Sequence, residues 1–538
     1  MKEPDRLELD EAQLSALEQR LASRRLEPED YGRLGVLLET VRYLGRMVQQ
    51  KSTSIQRLLR LIFGARTEKT RTVFPPPPPI PPAGPGPAQP GRGERPKRPG
   101  HGRRAAAAYS GAERVDVAHA QLKPGDSCPG CQKGKLHDTH RPSTLLRLRA
   151  QPPITATRFD LQALRCGVCG QVFSPAAPVE AGLEKYDPNV APMLAFLRYG
   201  CGLPMNRIEQ MQRDYGIPLP AGTQWGLLVV YVAEIAPLWP EFIRQAAAGE
   251  VLHNDDTVAR ILSIEKLIRQ EQSQPEADPK ARTGIFTTGI LSTRQGRTIS
   301  LFFSGRRHAG ENLQTVLDER DPALPIPIQM CDGLSRNQPA SAPTIQANCN
   351  AHGRREFVDV AHAFPEPCAY VLETFQTLYK HEAQTQAEGM NPEQRLAFHQ
   401  EHSAPLMEKL HTWMELAMAE KQVEPNSGLG GAIQYLLKRW ERLTLFLRKP
   451  GAPIDNNLAE RSLKLAIRHR NNSLFYKTEN GAHVGDLFMS LIHTCRLCGA
   501  NAFDYLCALR RHAQRLRENP SAWMPWNYRE TVETLAGA

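Results

Sequence analysis

Phe74 to Arg104 reads FPPPPPIPPAGPGPAQPGRGERPKRPGHGRR, and neither a helix nor a sheet can be carried through it. Proline lacks the backbone donor that both ladders need and fixes φ, so the first half is a stiff polyproline spacer. The second half sets Arg92, Arg95, Lys97, Arg98, Arg103 and Arg104 against Glu94, a tail suited either to phosphate contact or to simple solvation. The chain must therefore fold as separate parts on either side. Its 538 residues require the same, because single cores stop growing at about 250–300 residues.

Ahead of the spacer runs a heptad, with Leu34, Val41, Val48, Ile55 and Ile62 at a and Leu37, Leu44 and Leu58 at d, interrupted by Lys51. Branched residues at a with leucine at d favour a parallel two-stranded coiled coil, and hence a homo-oligomer. A helical hairpin using the helix near Leu14–Leu21 is the alternative. After the spacer, CPGC (Cys128, Cys131) is matched by CGVCG (Cys166, Cys169). Two such turns present paired thiolates for tetrahedral zinc, and four thiolates leave no open position, so the zinc is structural. Strand-like TLLRLRA and ITATRFDLQAL between them predict a ribbon with an extended hairpin. CRLC at Cys495 and Cys498 lies in an apolar helix and reads as core.

The net charge of +10 favours a polyanionic partner such as nucleic acid, although a generic basic enzyme has the same balance. No membrane span is visible: GLLVVYVAEIAPLWP is short and cut by Glu234 and Pro237. The first residues are acidic and polar, unlike a signal peptide, and the eleven cysteines suit thiols and metal ligands. The expected setting is the cytoplasm, at the nucleoid when DNA is bound.

Met193–Ala236 is helical, and its helix, glycine turn and second helix have a helix-turn-helix order. After Glu250 the pattern changes to three strands joined by short polar turns: VLHNDDTVARIL, TGIFTTGILS and TISLFFSG. A helix begins near Ala309, PIPIQMCDGLSRN gives a fourth strand ending at Asp332, and TIQANCNAHGRREF a fifth running into a basic helix. This order suggests a ribonuclease H-like α/β sheet. The fold expected is thus multidomain, mainly α plus α/β. It comprises a helical zipper-like region (1–73), the linker (74–107), a zinc-ribbon DNA-binding region (108–180), a helix-turn-helix-like region (181–248), the first part of the catalytic core (249–357), a helical insertion (358–450), the third-acid helix (451–485) and a C-terminal helical region (486–538).

Two adjacent aspartates, Asp255 and Asp256, interrupt the first strand, where an uncompensated carboxylate costs several kcal/mol. Asp332 ends the fourth strand, and Glu460 begins a helix whose Leu463 and Ile467 share its face. Converging carboxylates are what Mg2+, or Mn2+, requires. Arg461, Lys464, Arg468 and Arg470 on the same helix, with Arg354 and Arg355 on the basic helix, are candidate DNA contacts. Each acid also has an ordinary reading: Asp255 or Asp256 paired with Arg260, Asp332 as a turn residue, Glu460 closing a capping box with Asn457.

The zipper closing in IFGARTEK, the GHGRR linker, the CxxC pairs, LHNDDT, CDG, CNAHGRREF and the block PIDNNLAERSLKLAIRHRNNSLF…SLIHTC together resemble the insertion-sequence sixty-six family of bacterial transposases. The resemblance is nearly full length, and its last block is the most specific. It implies a DDE transposase with a ribonuclease H-like core, its acids at Asp255, Asp332 and Glu460. The family usually has glutamate where Asp256 stands and an aromatic where Leu334 stands. CNAH resembles a Cys-x-x-His element of several DDE groups, which implies Cys349 and His352 near the site. The implied partners are element ends and target DNA, with accessory proteins encoded by the same element. A nuclease using the same acids, and a zinc-ribbon regulator without catalysis, are the rival readings.

Overall fold

The computed structural model describes residues 20–21, 27–28, 30–32, 34–35, 121–129, 131–137, 152–165, 172–274 and 281–537. Most of the expected zipper, the whole linker, and Cys166 and Cys169 lie outside the described residues. The chain divides into two compact units, 77–153 on its own and 1–76 together with 154–538.

In the larger unit, helices α1 (Met205–Asp214), α2 (Ala221–Ile235) and α3 (Leu238–Ala247) precede the sheet. Gly216, at φ 75°, turns the chain between α1 and α2, and Glu209 accepts from the Ala221 amide at 3.0 Å. The helix pair anticipated from the sequence is therefore present. Its second member contains no lysine or arginine and presents Gln224, Leu228, Tyr231 and Ile235 to the interior. No single helix among the described residues is long and apolar enough to cross a membrane.

The sheet has five strands, β1 (Val251–Val258), β2 (Phe286–Arg294), β3 (Arg297–Gly305), β4 (Ile328–Cys331) and β5 (Ile345–Asn348), in the order β3-β2-β1-β4-β5. β1, β2 and β3 form an antiparallel meander, while β4 and β5 run parallel to β1. Gln295 and Gly296, both at positive φ (50° and 75°), form the two-residue turn whose twist suits the β2–β3 hairpin.

Two expectations need correction. β1 and β2 are not joined by a short turn, because α4 (Leu262–Gln272) intervenes. Its buried Ile264 and Ile268 are four apart, a helical spacing masked by the charges around them. Of the extended hairpin anticipated between the cysteine pairs, 154–163 form no strand and Leu164–Arg165 pairs with Val172–Phe173, while TLLRLRA lies outside the described residues.

Beyond β3 come α5 (Ala309–Leu317) and, after β5, α6 (Asn350–Val360). The anticipated insertion is helical: α7 (Pro365–Ala387), α8 (Pro392–His402), α9 (Ala404–Ala419) and α10 (Gly428–Leu437). Then follow α11 (Asn457–Ser473), α12 (Glu479–Leu497) and α13 (Ala502–Arg511). The expected boundary at 357–358 falls inside α6, which packs on α7 and α10, and that at 485–486 falls inside α12, which lies along β3.

Two cores result. One joins Leu252, Ile290 and Phe302 of the sheet to Tyr231, Phe242, Leu313, Leu463 and Phe488 of the helices. The other joins Met330 and Ala347 to Phe357, Phe375, Leu410, Met414 and Ile433, so the insertion shares its interior with β4 and β5. Cys495 is buried in the first core, and Cys498 is half-buried.

Helix α12 meets β3 in an unusual way. The outward amides of Ser300, Phe302 and Ser304 donate to Thr494 Oγ1 (3.0 Å), Ser490 Oγ (2.9 Å) and Asp486 Oδ2 (2.7 Å). Four helical residues rise about 6 Å and two strand residues about 6.7 Å, so the two repeats nearly match. Burial pushes Asp486 up to about 7, against the hydrogen bonds from the Ser304 hydroxyl and amide. A carboxyl whose folded value is raised adds stability at low pH and loses it as pH climbs through that value. Subtracting the unfolding free energy of Asp486→Asn from that of the parent should leave a difference falling by about 1.4 kcal/mol per pH unit between 3.8 and about 7. A flat difference in denaturant titrations would count against this assignment.

Candidate active site

Alternation along β1 separates the adjacent aspartates. Asp256 faces α5, where it accepts from Thr288 Oγ1 (2.6 Å), from the Ala309 amide (3.0 Å) and from the His308 ring (3.3 Å). It anchors the start of α5, where the helix dipole favours an anion. Asp255 faces the opposite way, toward α11. Its ladder partner is Gly289, where a Cβ would come within 3.0 Å of Leu463, so glycine lets α11 lie close against the acid.

Asp332 follows from register. The parallel ladder between β1 and β4 reaches His253 opposite Met330, and two residues further along each strand stand Asp255 and Asp332. Asp332 Oδ1 accepts from the Leu334 amide (3.0 Å) and from Asn337 Nδ2 (2.6 Å). The anticipated turn role is therefore real, and it orients the carboxylate. Glu460, half-buried in the first turn of α11, completes the set. Burial pushes Asp255 up to about 7; the Asp256 amide opposes this, while Asp332 and Glu460 add to it, so the three acids lie within electrostatic reach of one another. None of them forms an ion pair with lysine or arginine among the described residues. Like charges gathered without a counter-charge, on hard oxygen donors, fit a divalent cation such as Mg2+.

The remaining ordinary readings are not realised. Arg260 pairs with Glu265 (2.8 Å) instead of either aspartate. Asn457 donates to Asp455, at 2.6 Å from its side chain and 3.0 Å from its amide, and does not cap Glu460.

A scaffold of amides, missed in the sequence, holds the acids. Asn456 Nδ2 donates to the Asn254 carbonyl (3.1 Å), its Oδ1 meets His253 Nδ1 (3.1 Å), and its amide donates to Cys349 Sγ (3.2 Å). Burial pushes His253 down to about 4, so the neutral ring donates from Nδ1 to the Asn456 oxygen. Asn254 and Gln329 both donate to the Asn337 carbonyl, at 2.7 Å each, and Asn337 in turn holds Asp332. The strand of the first acid, the turn of the second and the helix of the third are thus joined without any charge. The doubled asparagine of IDNN and the asparagine that opens NDD were the available signals, and they look like loop residues.

Cys349, at the start of α6, His352 and Glu460 place a ligand atom each within 4.8 Å of one another. Arg461, Lys464 and Arg468 are exposed along one face of α11. Arg470 instead fastens α11 to the end of β1, donating to Thr257 Oγ1 (3.2 Å) and to the Val258 carbonyl. Arg354 and Arg355 are half-buried on α6.

In the smaller unit, Ser127 and Lys135 form a single antiparallel bridge around the first cysteine pair. The Cys128 amide donates to the Gly134 carbonyl, and Gln132, at φ 56°, donates to the Cys128 carbonyl, both at 2.8 Å. The amides of Gly134 and Lys133, then the Cys128 thiol, hold Cys131 below the usual thiol range. A turn that aims amides at a sulfur suits a metal-bound thiolate.

Three proteins of Sinorhizobium fredii are similar over most of their length. Each is 26% identical: y4jD over 92% of this chain and 97% of its own, y4hP over 77% and 76%, and y4qI over 78% and 76%. All three carry the name "uncharacterized protein". The sequence model of the transposase IS66 family matches residues 185–484, a span that holds the sheet, the helical insertion and all three acids, and the chain belongs to the IS66 family of transposases.

Proposed function

We propose that this transposase is a DDE-type enzyme that cuts element ends and joins their 3′-hydroxyls to target DNA. The observation that carries the reading is the gathering of Asp255, Asp332 and Glu460 with no lysine or arginine partner among the described residues. The strand order, with three antiparallel strands flanked by two parallel ones, supports a ribonuclease H-like core. Asp255, Asp332 and Glu460 would hold Mg2+ or Mn2+, which when bound supplies the positive charge that in-line phosphoryl transfer needs on the attacking and leaving oxygens.

The chain's own contribution is orientation. Strand β1 and the Asp332 turn fix two carboxylates from beneath, and α11 brings the third from above. Arg461, Lys464 and Arg468 form a positive line continuing from Glu460, placed to take backbone phosphates and set the scissile bond's direction. Two ends must be held at once, which calls for at least two copies, and the zipper of the first 73 residues is our candidate for joining them. At Cys128 and Cys131, with Cys166 and Cys169 as their sequence counterparts, we propose structural zinc in a DNA-binding module.

The test is a cleavage and strand-transfer assay on DNA carrying the element's own ends. Mg2+ should yield nicked ends and joined products, and Glu460→Gln should yield neither while still shifting end DNA in a gel. Full cleavage in EDTA, or by Glu460→Gln, would remove the acids from the reaction. Nicking without joined products would favour the nuclease reading.

A further inference from the structure

Glu460 has a second set of neighbours. On its other side stand Cys349 and His352, one turn apart at the start of α6, with ligand atoms of all three within 4.8 Å of one another. His352 Nδ1 lies 3.9 Å from Glu460 Oε1 and is buried with no hydrogen-bond partner. Such an orphaned imidazole nitrogen is costly unless something binds it. Cys349 Sγ forms the fully buried floor, where burial disfavours a free thiolate, and the Asn456 amide points at it from 3.2 Å, placed to hydrogen-bond a metal-bound sulfur.

We infer that Cys349, His352 and Glu460 form a site for a zinc-class divalent cation, distinct from the hard-ion site but sharing Glu460 with it. The donor chemistry carries the choice of ion. Thiolate, imidazole and carboxylate are the zinc ligand set, and one of each leaves a fourth position open. Magnesium binds oxygen and rejects sulfur, so it has no claim on Cys349 or His352. A thiolate, a carboxylate and a neutral imidazole also balance the charge of a divalent ion. An ion held there takes Glu460 from Asp255 and Asp332. The transposase would therefore be inhibited by zinc in competition with magnesium. That consequence rests on the function proposed above; the site does not.

Cobalt(II) is the probe, read by thiolate-to-metal absorption in the full-length protein. The spectrum of the parent minus that of Cys349→Ser, at equal cobalt, cancels any contribution from the other cysteines. It should show a band from a single thiolate, displaced by zinc and not by magnesium. Because Cys349 is buried, His352→Gln is the companion variant, and circular dichroism establishes that both are folded. It should weaken cobalt binding tenfold or more while leaving every sulfur in place. A featureless difference spectrum, or unchanged cobalt affinity in His352→Gln, overturns the site. The second readout is end cleavage in Mg2+ with rising zinc, where inhibition of the parent should be relieved at least tenfold in either variant. Inhibition equal in all three proteins overturns the sharing of Glu460. A cobalt band in a protein that never cuts DNA would uphold the site and sink the transposase mechanism.

Discussion

Asp255→Asn should lower the rate of end cleavage by on the order of 10³-fold and leave the affinity for end DNA unchanged. The substitution is nearly isosteric and keeps an oxygen to accept from the Asp256 amide, 2.8 Å away, so the backbone has no reason to move. What changes is charge. Asp255 is largely buried, opposite Gly289 on the ladder where Leu463 packs close, and it feels both of the other acids. A second measurement separates this from damage to the fold. With divalent ions removed by EDTA, Asp255→Asn should unfold at a higher temperature than the parent, because the cost of burying a carboxylate, and with it the repulsion from the other two acids, has been removed. Loss of activity combined with a gain in stability is the signature of a residue kept for chemistry. Cleavage within tenfold of the parent, or a lowered unfolding temperature, would defeat the assignment.

Asn456→Ala should be the most damaging change outside the acids. It leaves the Asn254 carbonyl and the His253 ring nitrogen buried without partners, at about 1–3 kcal/mol each, and it unfastens the start of α11 from β1. Stability should fall by roughly 2–5 kcal/mol in urea titrations. Cleavage should fall with it even at temperatures where the variant is fully folded, because Glu460 sits one turn beyond the broken clip. Asn457→Ala is the control. Asn457 hydrogen-bonds Asp455 and makes no side-chain hydrogen bond to β1 or Cys349, so the stability loss should stay at about 1 kcal/mol. Equal losses from the two variants would show that any change at the helix start has the same effect.

The three candidate acids stand out in the sequence because each breaks a local rule: Asp255 in a strand, Asp332 where a strand ends, Glu460 on the apolar side of a helix. The choice between Asp255 and Asp256 was not legible. It depends on which face of β1 meets α11 and which meets α5, and neither strand period nor composition reveals that. The asparagines were missed for a related reason. Asn254, Asn337 and Asn456 are ordinary as residue types and become a scaffold only when segments 83 and 202 residues apart come together. Helix α4 was lost between two strong strand patterns. The boundaries expected at 357–358 and 485–486 assumed that functional segments end where motifs end, whereas α6 runs on against α7 and α10, and α12 along β3. The zipper and the second cysteine pair are readings that the described residues leave as the sequence has them.

The row formed by Thr494, Ser490 and Asp486 constrains how copies of this protein can meet. With the donors on that rim of the sheet already satisfied, an extended segment from another molecule finds no ladder there to join, so runaway stacking of sheets is closed off on that side. Any contact between copies on that side would have to be made through side chains, and such contacts are more readily reversed than a shared ladder.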